Sequence, residues 1–90
     1  RMLAAALAAD LADHRMHHEQ WVRARDTLQP LAEKRVGLET ASFAAGRASL
    51  IDIVDAHAAL ADAVLTTLDR EAAVVRDGVR INLSYGDDSQ

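Results

Sequence analysis

The chain is organised around one corner, residues 44–56, where one long helical pattern stops and another begins. Gly46 adopts a positive φ without steric cost, which suits the end of a helix, and Ser49 has the side chain of an N-cap. On both sides of the corner, apolar residues recur at steps of three and four, the spacing of one face of an α-helix. The sequence therefore predicts two long helices joined by a tight turn.

The predicted fold class is all-α, a long antiparallel helical hairpin of coiled-coil type that forms one unit over residues 1–84. The first arm covers about residues 2–44, the turn residues 45–48, and the second arm about residues 49–83. Residues 85–90 lose the helical periodicity and read as a tail. At about 1.5 Å per residue, each arm extends roughly 50–65 Å, so we expect a rod and not a globule.

Four residues of the first arm are spaced by seven, which predicts that this arm lies along another helix. They are Ala24, Leu31, Leu38 and Ala45. Pro30 interrupts the same arm, because proline lacks a backbone donor and clashes with the carbonyl four residues before it. We expect a kink or short break near residues 27–29, either as a tolerated bend or as a change of direction.

The composition limits what this hairpin can do alone. Half of the 90 residues are apolar, yet 19 of these 45 are alanine and only three residues are aromatic. Alanine favours helix but buries little area, so we expect the hairpin to depend on neighbouring helices and to self-associate. Because the chain begins with Arg1, we expect it to be a fragment of a longer protein.

Other compositional features exclude several classes of site and partner. The absence of cysteine excludes disulfides and thiolate metal sites, and the net charge of −4 weighs against a nucleic-acid partner. No apolar run reaches the roughly 18 residues that a membrane-spanning helix needs.

Three histidines in the first arm, His14, His17 and His18, form the densest group of potential metal ligands. His14 and His18 are four residues apart, a spacing that holds zinc or copper through two imidazoles. No third and fourth ligands are evident from the sequence, so a solvated polar face is the competing interpretation. His57 falls in the apolar stripe of the second arm and predicts an interface histidine, with a proton-sensing role beside the nearby aspartates as the alternative.

Asp52 and Asp55 lie on one face in the first turns of the second arm. The helix dipole alone favours acidic residues at this position. An acid/base pair would need loops that form a cleft or a glycine-rich phosphate cradle, and the sequence offers neither. We therefore predict that the chain is not an enzyme and binds no cofactor.

Residues 38–56, with the sequence LETASFAAGRASLIDIVDA, resemble the helix-tip segment of TolC-type outer-membrane efflux proteins. The shared pattern is an aromatic residue, a glycine three positions later, and an apolar-rich Asp-x-x-Asp-Ala after the turn. The likeness extends back through residues 28–33, which resemble the heavy-metal and multidrug branch, and forward to about residue 83. It covers roughly two thirds of the chain.

This resemblance implies a homotrimeric channel, with a β-barrel in the outer membrane that continues as a helical barrel into the periplasm. The chain would be the periplasmic tip hairpin of the second repeat. Ala45, Gly46 and Arg47 would dock a periplasmic adaptor, while Asp52 and Asp55 would form acidic rings near the constriction and favour cations. Some relatives carry a basic residue two positions after the tip glycine to tie hairpins shut, and here that position is Ala48.

The implied function is a passive exit duct for drugs or metal ions, working with the adaptor and an inner-membrane pump. One alternative is the hairpin of the adaptor itself, whose tip carries an arginine-leucine-serine type pattern instead of paired aspartates. Another is a generic coiled-coil or metal-binding interaction module.

Overall fold

A computed structural model of the chain describes residues 2–86. Helix α1 spans Met2–Arg23, a π-helical turn spans Ala24–Leu28, α2 spans Gln29–Ala44 and α3 spans Leu50–Tyr85. The first three elements form one continuous first arm, which folds back along α3. The molecule measures 65 × 16 × 16 Å, which confirms the predicted all-α, rod-like helical hairpin.

The segment that joins the arms is residues 45–49, one residue longer than the predicted turn. The second arm ends at Tyr85, so α3 includes the first residue of the predicted tail. The rest of that tail, beyond residue 86, lies outside the described residues.

The first arm ends in a Schellman turn, in which backbone N–H groups beyond the helix bond to its last carbonyls. Gly46 N–H donates to the Phe43 carbonyl at 3.0 Å, and Arg47 N–H donates to the Ser42 carbonyl at 2.8 Å. Gly46 has a φ of 75°, and no other described residue has a positive φ. The prediction that Gly46 adopts a positive φ to end this helix is confirmed.

Two glycine substitutions isolate the role of this backbone conformation. A Cβ at Gly37 or at Gly46 would meet no atom within 4 Å, but only Gly46 has the positive φ. We expect Gly46→Ala to lower the free energy of unfolding by about 1–2 kcal/mol, and Gly37→Ala to raise it by about 0.5–1 kcal/mol. Thermal unfolding followed by circular dichroism measures both changes. Equal shifts for the two variants would contradict this explanation.

A π turn interrupts the first arm just before Pro30. Gln29 N–H donates to the carbonyl of Ala24, five residues back instead of the usual four. In a regular α-helix, residue 30 would supply an N–H to the carbonyl of residue 26, and proline cannot do so. The predicted break near residues 27–29 is therefore found, as a wide turn that starts three residues earlier.

Small residues hold the two arms together. Ala24, Ala56 and Ala63 are the buried apolar residues of the described chain, and Ala56 is fully inaccessible to solvent. No large side chain among residues 2–86 is fully buried. Since alanine buries little apolar area, the contact between the arms yields a small hydrophobic gain, and close approach of the helices replaces a wide core.

The row of residues spaced by seven in the first arm does not face α3 along its whole length. Ala24 is buried, but Leu31 is 61% exposed and Leu38 is 59% exposed. The π turn adds one residue to the arm, which rotates the following helix by about 100°. Ala32, Val36 and Glu39 are half-buried in their place. The first arm lies along another helix, as its spacing of seven predicts, but Leu31 and Leu38 are outside that contact.

Candidate functional site

Helix α3 carries a second apolar row on the face that points away from the first arm. Its members follow one another at alternating steps of four and three as far as Val79, with a last step of four, and all of them are exposed. They are Val54, Ala58, Ala61, Leu65, Leu68, Ala72, Val75, Val79 and Leu83. We call this row the outer seam. At about 100° per residue, it lies roughly opposite the row formed by Ala56, Ala63 and Asp77.

Alternating steps of four and three are the pattern of a coiled-coil seam. Leu65 and Leu68, in the middle of the outer seam, remain 59% and 53% exposed. The first arm covers only the opposite face of α3, with its buried Ala56 and Ala63. Helix α3 therefore presents contact surfaces for two helices on opposite sides, and the hairpin supplies one of them.

An acidic row runs along the side of α3 between these two surfaces. Asp55, Asp62 and Asp69 are spaced by seven and are all exposed. Asp62 lines a groove together with Arg35, and Asp69 lines another together with Arg70. Asp55 was predicted from the sequence as a site residue. Asp62 and Asp69 are not among the predicted site residues, although their spacing of seven from Asp55 is visible in the sequence.

The tip of the hairpin is exposed at each of the predicted docking positions, Ala45, Gly46 and Arg47. Ala48, two positions after Gly46, is half-buried. Phe43, Leu50 and Ile51 are large apolar residues that stay exposed close to the turn. The tip therefore offers an apolar surface with one guanidinium group.

Asp52 closes a capping box at the start of α3. Its Oδ2 accepts hydrogen bonds from the Ser49 backbone N–H at 2.8 Å and from the Ser49 hydroxyl at 3.0 Å. In return, Ser49 Oγ accepts from the Asp52 backbone N–H at 3.3 Å, which confirms Ser49 as the N-cap. The Ser49 backbone bond, followed by the Ser49 hydroxyl, lowers the pKa of Asp52 below its ordinary value.

The two predicted aspartates therefore have different surroundings. The Asp52 carboxylate is tied to the helix N-terminus through Ser49. Asp55 is exposed and belongs to the acidic row. Of the two, Asp55 has the carboxylate that is more accessible to a solute moving past this face.

Within residues 2–86, four side-chain hydrogen bonds link the two arms, and each joins α1 to the second half of α3. His17 pairs with Asp77 through its Nδ1 atom. Tyr85 Oη donates to Asp10 at 2.6 Å and Arg80 donates to the same carboxylate at 3.4 Å. Arg70 donates to the Gln20 side chain at 2.9 Å. These bonds fix the alignment of the arms at the end opposite the tip.

The surroundings of this cluster shift the pKa of its acidic groups. The hydrogen bond with His17 is the main cause that lowers the pKa of Asp77. The hydrogen bond from Tyr85, and then that from Arg80, lowers the pKa of Asp10. The same bond to Asp10 raises the pKa of Tyr85, because the phenol must keep its proton in order to donate.

The three predicted metal ligands have different surroundings, although His14 and His18 line one groove. His17 pairs with Asp77, whereas the His18 ring packs edge-on against Trp21 with the centroids 5.5 Å apart. The Nδ1 atom of His14 is buried and has no hydrogen-bond partner in the described chain. No three His, Cys, Asp or Glu side chains within residues 2–86 are placed to hold a metal ion together.

His57, predicted as an interface histidine, is exposed on α3. None of the helices in residues 2–86 combines the length and the apolar character needed to cross a bilayer.

The surfaces that remain as candidate functional sites are the outer seam, the acidic row and the tip. Compared with protein-family models, curated proteins and solved structures, the chain shows no match.

Proposed function

We propose that this chain is a periplasmic wall segment of an outer-membrane efflux duct of the TolC type. In the proposal the intact protein is a homotrimer, and the duct is a passive exit path for drugs or metal ions. It works with a periplasmic adaptor and an inner-membrane pump. The observation that carries the proposal is that α3 is apolar on two opposite faces.

A helix in the wall of a closed helical barrel has one neighbouring helix on each side. A free two-helix coiled coil has a single seam, and the opposite face of each helix is polar. In this chain, Ala56 and Ala63 face the first arm while Leu65 and Leu68 lie exposed on the other side. The second seam favours a wall segment over an isolated hairpin such as that of an adaptor.

The acidic row adds a second line of support. When both seams of α3 are covered, only its two remaining sides face open space, one inside the barrel and one outside. Asp55, Asp62 and Asp69 lie together on one of these sides. Copies of this row around a common lumen would concentrate negative potential, which favours the passage of cations. The proposed acidic lining thus extends from the tip aspartates along about four turns of α3.

Docking at the tip is tested most cleanly at Ala45, because substitution of Gly46 would also strain the backbone at its φ of 75°. In the intact channel, we expect Ala45→Trp to abolish capture of the periplasmic adaptor, since the indole would occupy the exposed tip surface. Thr40→Trp is the matched control, because Thr40 is exposed on α2, about one turn before Ala45. Adaptor capture by both variants would refute the docking assignment.

The same intact channel tests the acidic row separately from docking. Asp62→Asn together with Asp69→Asn should reduce the preference for cations in a planar bilayer and leave adaptor capture unchanged. Unaltered ion selectivity would show that the row does not face the lumen. Loss of adaptor capture in this variant would instead place the docking surface on α3.

A further inference from the structure

The first arm contains one row of residues spaced by seven that extends beyond the contact with α3. The row consists of Asp10, His17, Ala24, Leu31, Leu38 and Ala45. Up to the π turn, its members face α3, where Asp10 bonds Tyr85, His17 pairs with Asp77, and Ala24 is buried. After the π turn, Leu31 and Leu38 are exposed. The row therefore leaves the contact at the π turn.

The corresponding row of α3 has no such break. Ala56, Ala63, Arg70 and Asp77 are spaced by seven within one continuous α-helix. Beside the π turn, a groove of about 440 Å³ separates Leu31 from Ala59 and Ala63. Helix α3 thus offers the same surface to two alignments of α2, and there is space for Leu31 to turn inward.

Pro30 selects between these alignments. It lies two residues after the π turn, and in a regular α-helix its ring would clash with the carbonyl of residue 26, four residues before it. If the turn closed to α-helical geometry, α2 would rotate by about 100° and advance by about 1.5 Å. Residue 31 would then take the place of residue 32, and residue 38 that of residue 39.

We propose that the π turn at Ala24–Leu28, held open by Pro30, is a register switch for the tip half of the first arm. In the open register, in which the π turn is present, Leu31 and Leu38 are more than half exposed. In the closed register, they pack against Ala63 and Ala56. A helix that packs on the two leucines binds the open register alone and shifts the balance towards it. The switch operates within a single copy of the chain and does not depend on the proposed duct.

Disulfide trapping distinguishes the registers, because the natural chain has no cysteine. Ala32→Cys with Ala63→Cys reports the open register, in which both residues line the same groove. Leu38→Cys with Ala56→Cys reports the closed one. In the natural background we expect only the first pair to cross-link under mild oxidation. In the Pro30→Ala background, the second pair should become the major product and the first should fall to a minor one.

Gly37→Ala serves as the control, because it also favours helix in α2 but leaves Pro30 in place, and it should keep the natural cross-linking pattern. Deleting Thr27 in the Pro30→Ala background removes the extra residue directly and must give the second pair. Retention of the first pair as the major product in Pro30→Ala overturns the switch. Failure of the second pair in the deletion variant, with helicity intact by circular dichroism, overturns it equally.

Discussion

Replacing Leu65 and Leu68 with glutamate is expected to convert an assembled form of this protein into monomers. Both leucines are more than half exposed in the hairpin, and both lie at the centre of the outer seam. Burying the exposed half of the two leucine side chains contributes about 1.5–3 kcal/mol per interface. Loss of that energy weakens association about tenfold or more. Light scattering coupled to size-exclusion chromatography measures the change in mass.

The matched control adds the same charge away from the outer seam. Thr40→Glu with Ala44→Glu places two carboxylates at exposed positions of the first arm. This variant should retain the mass of the natural protein, and both variants should keep their helicity, because the changed side chains are exposed in the hairpin. If the Leu65 and Leu68 variant assembles as the natural chain does, the outer seam is not an interface. In that case α3 has only one helical neighbour and is not a wall segment.

Asp77→Ala is expected to lower the stability of the hairpin clearly more than alanine substitution of an exposed acid on α3. Asp77 is the buried charged residue of the described chain, and it pairs with His17 across the two arms. Its removal leaves the imidazole of His17 between the helices without its acceptor and opens space in the contact. Thermal unfolding by circular dichroism should show a clear drop in the midpoint. Asp69→Ala, an exposed acid on the same helix, should leave the midpoint nearly unchanged.

The contribution of Asp77 to folding stability decreases as the pH falls. Its pKa lies below the ordinary value of 3.8 in the folded chain, mainly because of the bond with His17. A carboxyl group whose pKa falls on folding stabilises the fold above its unfolded pKa, and this contribution disappears as the pH drops through the folded pKa. The difference in stability between the natural chain and Asp77→Ala should therefore be full at pH 6 and narrow below pH 3.8. A difference that stays constant over this range would exclude the carboxylate as its source.

Local features of the fold could be predicted from the sequence because each depends on residues close together in the chain. Gly46 ends the first arm, Ser49 caps α3, and Pro30 disturbs the helix before it, each through its own backbone or side-chain chemistry. The positions of the long helices follow from apolar periodicity in the same way. The resemblance to TolC-type tips likewise rests on a contiguous stretch, and it stays a prediction.

The pairing of distant side chains was not predictable in this way. His17 was considered as a metal ligand beside His14 and His18, yet its partner is Asp77, sixty residues away. Asp10 and Tyr85 are likewise far apart in sequence and adjacent in the fold. A single sequence carries no signal for such pairs, since each residue alone looks like part of a solvated helical face.

What the sequence by itself determined is the helical hairpin: two arms, their turn, and the existence of apolar rows. The tertiary structure decided which row faces which partner. The apolar residues of the second arm divide into an inner row and the outer seam, and the π turn turns Leu31 and Leu38 out of the contact. The physical reason is that periodicity sets the spacing along a helix but not its rotation about its axis. That rotation is fixed by close packing at Ala24, Ala56 and Ala63 and by the bonds that join α1 to α3.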